Sequence, residues 1–81
     1  MRVRIRLFAS LREVVGRSEL ELELPEGATP EDAWAQLAQR HPPLTARRRN
    51  LAAAVNRRYA GFDSALAAGD EIVFIPPVSG G

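Results

Sequence analysis

The chain has 81 residues, 46% of them hydrophobic and 26% charged, which is the balance of one small globular domain. It contains no cysteine and only one histidine, His41, so disulfides, thiolate metal sites, cysteine nucleophiles and multi-histidine metal sites are excluded. The formal net charge of +1 argues against a general nucleic-acid-binding role. No apolar run approaches the ~20 residues that span a bilayer, so we expect no membrane partner and a cytoplasmic location.

The basic residues have a chemical peculiarity. All 11 of them are arginine, and lysine is absent. A guanidinium stays protonated at physiological pH, so no side chain of this protein offers a nucleophilic amine. The chain therefore cannot form a Schiff base through a side chain, and it cannot accept an isopeptide bond on one.

Two early segments, residues 2–7 and 19–24, alternate charged with apolar residues. This alternation has the period of a half-buried strand. The first segment turns arginines to solvent and the second turns glutamates, so antiparallel pairing would match opposite charges. Between them, Ser10-Leu11-Arg12-Glu13 has the form of a capping box, which predicts one or two helical turns ending at Gly16.

The main helix is predicted to begin after Thr29, the N-cap, with Pro30 in its first position. Four residues fall at i, i+3, i+4 and i+7 and share one face: Trp34, Leu37, Ala38 and His41. Pro42 and Pro43 end the helix. We expect Trp34 and Leu37 to anchor the core, and we interpret His41 as a helix-end residue, not a catalytic one.

The second half of the chain predicts shorter elements. Residues 44–50 are expected to be irregular and exposed, with short strands over residues 52–55 and 59–62. The last strand, residues 71–75, follows a Gly69-Asp70 turn and ends at Pro76-Pro77, because proline cannot donate to a strand ladder.

The order strand, strand, helix, strand, short strand, strand predicts an α+β fold of the β-grasp, or ubiquitin-like, class. In this fold one main helix crosses one face of a mixed sheet, with the first and last strands side by side in the middle. A ferredoxin-like fold is the alternative, but it requires a second full-length helix after the third strand. We expect a β-grasp domain over residues 1–75 and a flexible tail over residues 76–81.

The tail ends in two glycines, Gly80 and Gly81. Six residues from Pro76 can extend about 20 Å at ~3.3 Å each, and residues without a Cβ atom pass through channels too narrow for side chains. The one reactive group that such a tail delivers is the α-carboxylate of Gly81, which is ionised at neutral pH. Adenylation by ATP would activate this carboxylate for attack by a sulfur or amine nucleophile.

Several motifs together resemble the small subunit of molybdopterin synthase, a ubiquitin-like sulfur carrier. They are Leu7-Phe8-Ala9-Ser10-Leu11-Arg12-Glu13, Val55-Asn56, Gly69-Asp70-Glu71, and the ending from Phe74 through Pro-Pro-Val-Ser-Gly-Gly. The resemblance covers nearly the whole chain except residues 40–51. Thiamin-pathway and tRNA-thiolation carriers share the fold and the Gly-Gly ending, and they stay open as alternatives.

The resemblance implies a mechanism and a set of partners. An adenylating, ubiquitin-activating-like enzyme uses ATP on Gly81, and sulfide from a sulfur-relay protein converts the adenylate to a thiocarboxylate. The large synthase subunit then receives the tail. The residues that thread into its active site are Pro77, Val78, Ser79 and Gly80. There the thiocarboxylate donates sulfur to cyclic pyranopterin monophosphate. Synthases of this family are heterotetramers whose acid–base residues lie in the large subunit, so the carrier needs no metal or resident cofactor and is no enzyme by itself.

The apolar last strand predicts a protein interface. If Ile72 and Phe74 face the helix, Val73 and Ile75 face outward as an exposed apolar patch. Phe8 is out of phase with the buried residues of the first strand and joins this patch in our interpretation, as does Tyr59. The large subunit is the partner that the resemblance implies for this surface.

Two further functions compete with the carrier hypothesis. A ubiquitin-like protein modifier would use the same activated Gly81 but would form covalent adducts on lysines of target proteins. A small RNA-binding domain would use Arg47-Arg48-Arg49 and Arg57-Arg58, although solvated loop charge, in contact with the acidic first turn of the helix, explains these residues more simply.

Overall fold

The computed structural model describes residues 1–77. Its elements, in chain order, are β1 (Arg2–Arg6), α1 (Ala9–Val15), β2 (Glu19–Glu23), α2 (Pro30–Arg40), a 3₁₀ helix (Pro42–Arg47), β3 (Ala52–Val55), β4 (Arg58–Ala60) and β5 (Glu71–Ile75). The strands form one sheet in the order β2-β1-β5-β3-β4. β1 and β5 run parallel, whereas the other neighbouring strands are antiparallel. This mixed sheet is the predicted β-grasp arrangement, and no second long helix follows β3 within residues 1–77, which excludes the ferredoxin-like alternative.

The pairing of β1 with β2 confirms the predicted match of opposite charges. Arg2 lies opposite Glu23, Arg4 opposite Glu21, and each apolar residue of β1 opposite a leucine of β2. Arg2 forms an ion pair of 2.9 Å with Glu23, and Arg4 reaches diagonally to Glu19 at 3.4 Å. Exposed cross-strand pairs contribute about 0.2–1 kcal/mol each, so they help to set the register more than the stability.

The core lies between the inner face of the sheet and α2. Thr29 caps the helix as predicted, since its hydroxyl accepts a hydrogen bond from the Asp32 amide while the Asp32 carboxylate accepts one from the Thr29 amide. Trp34 and Leu37 are buried, and the Trp34 ring meets the Phe74 ring edge-on at a centroid distance of 5.0 Å. The predicted core anchors are therefore confirmed.

The predicted capping box at Ser10 is wrong. Helix α1 begins at Ala9, its N-cap is Phe8, and no side chain caps it. The amides of Leu11 and Arg12 both donate to the Phe8 carbonyl, so the first turn of the helix starts from Phe8 and Ser10 already lies inside it. The predicted end of this helix is confirmed, because Gly16 has a left-handed φ of 84° and its amide donates to the Arg12 carbonyl.

Two expectations for the second half also need correction. Residues 44–50 are not wholly irregular and exposed: the 3₁₀ helix runs through Arg47, and Leu44 within it is fully buried. Pro42 and Pro43 favour this tight turn because their φ angles are fixed near the helical value. The fourth strand is Arg58–Ala60 and not residues 59–62, because Phe62 turns inward and stacks on Phe74 at 6.1 Å between centroids.

Candidate functional site

The outer face of the sheet, opposite α2, carries an apolar surface centred on β5. Ile72 and Phe74 are fully buried, whereas Val73 and Ile75 between them are only partly buried, as the alternation predicted. Strand residues that pair directly share a face, and Ala54 pairs with both Val73 and Tyr59, while Ala52 pairs with Ile75. We call the surface formed by Ala52, Ala54, Tyr59, Val73 and Ile75 the outer patch.

Phe8 and Tyr59 are the two large hydrophobic side chains exposed among the described residues, at 47% and 79% of their surface. Tyr59 stands at the β4 edge of the outer patch. Phe8 flanks the patch from β1: Arg6 lies level with Val73, and its guanidinium is 5.5 Å from the Phe8 ring centroid. The structure thus brings the four predicted interface residues to one side of the sheet, and their role in binding stays a prediction.

The turn between β3 and β4 is held by a polar cluster that the sequence pattern did not predict. Asn56 and Arg57 both have left-handed φ angles, 52° and 71°. The Asn56 amide group donates to the Asp70 carboxylate at 2.9 Å, and its oxygen accepts from the Glu71 amide at 3.0 Å. Asp70 also accepts from the Ala67 amide at 2.8 Å. This cluster fixes the hairpin against the start of β5 and so positions Tyr59.

A cleft opens where the chain leaves the sheet after β5. Its volume is about 390 Å³, and its lining includes Ser10, Leu11, Arg47, Arg49, Pro76 and Pro77. We call it the tail-exit cleft. Of the predicted tail, Pro76 and Pro77 are described, and Pro77 is exposed. Val78, Ser79, Gly80 and the predicted reactive residue Gly81 lie outside the described residues. The division of the chain at residue 75 therefore stays a prediction.

The three consecutive arginines have different environments. Arg48 donates to both oxygens of the Glu31 carboxylate, with Nε at 3.0 Å from one and Nη2 at 2.8 Å from the other. This hydrogen bonding from Arg48 is the main reason that the pKa of Glu31 lies below its ordinary value. Arg48 thus contacts the acidic first turn of α2, as the simpler interpretation expected. Arg47 and Arg49 are exposed and line the tail-exit cleft instead.

The remaining candidates have structural roles or form no site. His41 is the C-cap of α2, where its backbone amide donates to the Leu37 carbonyl at 2.9 Å. Residues 1–77 contain no cluster of three metal-ligating side chains. No helix in this same stretch is both long and apolar enough to cross a membrane.

The profile of the ThiS family matches residues 5–81, which is nearly the whole chain and includes its glycine ending. The chain belongs to the ThiS family. This ThiS-family chain is 40% identical over 83 residues to a molybdopterin synthase sulfur carrier subunit from Chlamydomonas reinhardtii, with all of both chains covered. It is 36% identical to small archaeal modifier protein 1 from Haloferax volcanii, with 94% of this chain and 97% of that protein covered.

The comparison with solved structures agrees with the family. The crystal structure of the same Haloferax volcanii modifier superposes on this ThiS-family chain with a TM-score of 0.88, 34% identity and complete coverage of both chains. The fold is therefore β-grasp, and the relative that is named a sulfur carrier subunit supports a sulfur-carrier role.

Proposed function

We propose that this chain is the sulfur-carrier subunit of a molybdopterin synthase and that Gly81 carries the sulfur as a C-terminal thiocarboxylate. The observation that carries the proposal is the full-length similarity to a molybdopterin synthase sulfur carrier subunit, at 40% identity. The outer patch supports it, since a carrier needs a surface that docks on a larger partner, and so does an exposed exit for the tail at Pro77.

The chemistry takes place at one carbonyl carbon. A carboxylate oxygen of Gly81 attacks the α-phosphorus of ATP, pyrophosphate leaves, and an acyl adenylate forms on the adenylating enzyme. Sulfide attacks the acyl carbon, and AMP leaves with the electrons of the broken C–O bond. ATP is therefore a substrate of the adenylating enzyme, and the carrier itself needs no resident cofactor.

The second half of the cycle takes place on the large subunit. The outer patch, with Phe8 beside it, docks there, and the tail carries the thiocarboxylate into the active site. The thiocarboxylate sulfur forms a bond to a side-chain carbon of cyclic pyranopterin monophosphate as an oxygen substituent leaves that carbon with the bonding electrons. Water then cleaves the acyl–sulfur bond, so the sulfur stays on the pterin and Gly81 returns to a carboxylate. In this proposal the acid–base groups for these steps belong to the large subunit. The cytoplasmic location of the carrier stays a prediction.

A protein-modifier function is the second candidate, because the chain is also 36% identical to small archaeal modifier protein 1. Both functions need an activated Gly81, but they differ in the acceptor. A modifier forms amide bonds to lysines of other proteins, whereas a carrier accumulates as free thiocarboxylate. Carriers of the thiamin and tRNA-thiolation pathways differ again, in the molecule that takes the sulfur.

The experiment that tests the proposal is intact-mass measurement after incubation with ATP, the adenylating enzyme of the same organism and a sulfide source. A mass gain equal to exchange of one oxygen for sulfur supports the carrier, provided that a chain without Gly81 shows no gain. Addition of the large subunit and cyclic pyranopterin monophosphate should then remove the added mass. A full thiocarboxylate signal that this pair leaves untouched would assign the carrier to another pathway.

A further inference from the structure

Two arginines, Arg47 and Arg49, lie near the point where the tail leaves the fold and form no ion pair with the described residues. The ion pairs among residues 1–77 include Arg48 but neither Arg47 nor Arg49. Both of these arginines are exposed, and both line the tail-exit cleft together with Pro76 and Pro77. The cleft therefore presents concentrated positive charge on a chain whose net charge is only +1.

The backbone that carries these arginines is well anchored. Leu44 and Leu51, on either side of them, are buried in the core. Arg48, between them, binds Glu31 through two nitrogens, and its guanidinium carbon lies 3.6 Å from the Phe62 ring centroid. Because Arg48 is held in place, the backbone of Arg47 and Arg49 is held with it. Their side chains are therefore presented from a fixed position, which suits binding to a partner.

The length of the tail indicates what the two arginines contact. The four residues after Pro77 span about 13 Å when extended, at ~3.3 Å each. Extension into a partner thus carries the Gly81 carboxylate, and any nucleotide joined to it, away from the cleft. The arginines are then left beside the partner's surface around the opening that receives the tail.

We propose that Arg47 and Arg49 form a docking site for an acidic surface of the adenylating enzyme at the mouth of its tail channel; this inference rests on the proposed carrier function. Complementary charge mainly raises the rate of association, and it does so most strongly at low salt. A carrier must find and leave its adenylating enzyme in every cycle, so fast encounter suits this partner. The apolar outer patch suits the longer-lived contact with the large subunit.

The test compares two double variants that lose the same charge. Arg47→Ser with Arg49→Ser removes the cleft arginines, whereas Arg57→Ser with Arg58→Ser removes two exposed arginines at the other end of the sheet, where Asn56 meets the start of β5. The measurement is kcat/KM for adenylation of the carrier by its adenylating enzyme over a range of salt concentrations. We expect the cleft variant to lose about tenfold at low salt and to show a flatter salt dependence, with the hairpin variant within twofold of the wild type.

Other outcomes overturn this inference, and one of them also contradicts the proposed function. Equal kcat/KM for the cleft variant and the wild type overturns it while leaving the carrier function intact. The inference is also overturned if the cleft variant binds the large subunit more weakly but is adenylated normally. It is overturned as well if the wild type binds single-stranded RNA and only the cleft variant loses that affinity. A wild-type chain that an active adenylating enzyme does not adenylate at all contradicts the proposed function itself.

Discussion

The guanidinium carbon of Arg48 lies 3.6 Å from the centroid of the Phe62 ring. The same guanidinium binds the carboxylate of Glu31, and the Phe62 ring stacks on Phe74 in the core. One side chain, on the residue that follows the 3₁₀ helix, thus contacts both the first turn of α2 and the loop after β4. An arginine is well suited to this position, because its planar group can stack on a ring and donate two hydrogen bonds at once.

The Glu31–Arg48 pair makes part of the stability depend on pH. The pKa of Glu31 is lowered from 4.5, chiefly by hydrogen bonding from Arg48, so the folded chain binds a proton at Glu31 less readily than the unfolded chain. The contribution is therefore complete above 4.5 and is lost as the pH falls through the lower, folded-state pKa. Because both side chains are substantially exposed, we expect about 0.2–1 kcal/mol.

Urea unfolding of Glu31→Gln and of the wild type checks this prediction at neutral pH and at progressively lower pH. The difference in unfolding free energy should be largest at neutral pH and should shrink once the pH passes below 4.5. Glu26→Gln is the control, since Glu26 is exposed and forms no ion pair within residues 1–77. A difference that stays constant with pH would show that charge on Glu31 is not what stabilises the fold.

Replacement of Asn56 should lower the free energy of unfolding, although the residue is exposed. Asn56→Ala removes the hydrogen bonds to Asp70 and to the Glu71 amide, and it leaves a Cβ-bearing residue without local support at a φ of 52°. We expect a loss of about 1–3 kcal/mol in the free energy of unfolding. Asn56→Gly tolerates the left-handed backbone and so isolates the hydrogen bonds, which predicts a smaller loss. Ordinary surface substitutions change the free energy of unfolding by up to about 0.5 kcal/mol. A change no larger than this for Asn56→Ala would contradict the proposed role of Asn56.

The parts of the structure that were predictable depend on short-range pattern. The alternation in β5 was enough to place Phe74 inside and Val73 outside, and Thr29 with Pro30 marked the start of α2. The charge alternation in β1 and β2 gave their pairing. In each case the deciding information is the residue pattern within a single element, which is why the β-grasp fold could be predicted.

The parts that were missed depend on contacts between distant residues. Asp70 was predicted to form a turn, yet nothing local indicates that the Asn56 side chain, 14 residues away, binds it. Likewise Arg48 was indistinguishable from its neighbours in sequence, because Glu31 and Phe62 come close to it only in the folded chain.

A charge placed in the outer patch should weaken docking on the large subunit. Ile75→Lys adds a cation beside Ala52, on the face that we propose to be covered in the complex. Burial of an unpaired charge in an apolar contact is strongly unfavourable, so we expect at least a tenfold loss of affinity, or about 1.4 kcal/mol. Isothermal titration against the large subunit measures it.

Ala35→Lys is the matched control for this variant. It also adds one lysine, but on an exposed position of α2, which lies on the opposite side of the sheet. Its affinity should equal that of the wild type. If both variants bind the large subunit as the wild type does, the outer patch is not the docking surface.

Deletion of Gly81 should abolish sulfur transfer without unfolding the protein. The shortened chain still ends in a glycine carboxylate, that of Gly80, so its intrinsic reactivity is unchanged. Its position, however, is withdrawn by ~3.3 Å, and misplacement by about 1 Å can cost 10²-fold in rate. Gly81 has no side chain to bury, so the free energy of unfolding should stay within about 0.5 kcal/mol of the wild type.

Extension by one glycine completes the test of this positional requirement. The extended chain keeps all native residues and the same terminal group but carries its carboxylate too far, so sulfur transfer should fall as it does in the deletion. Single-turnover assays with each chain, supplied as thiocarboxylate to the large subunit and its pterin substrate, separate this step from adenylation. Transfer by either variant at more than a tenth of the wild-type rate would mean that the active site does not require the terminal carbon at one fixed depth.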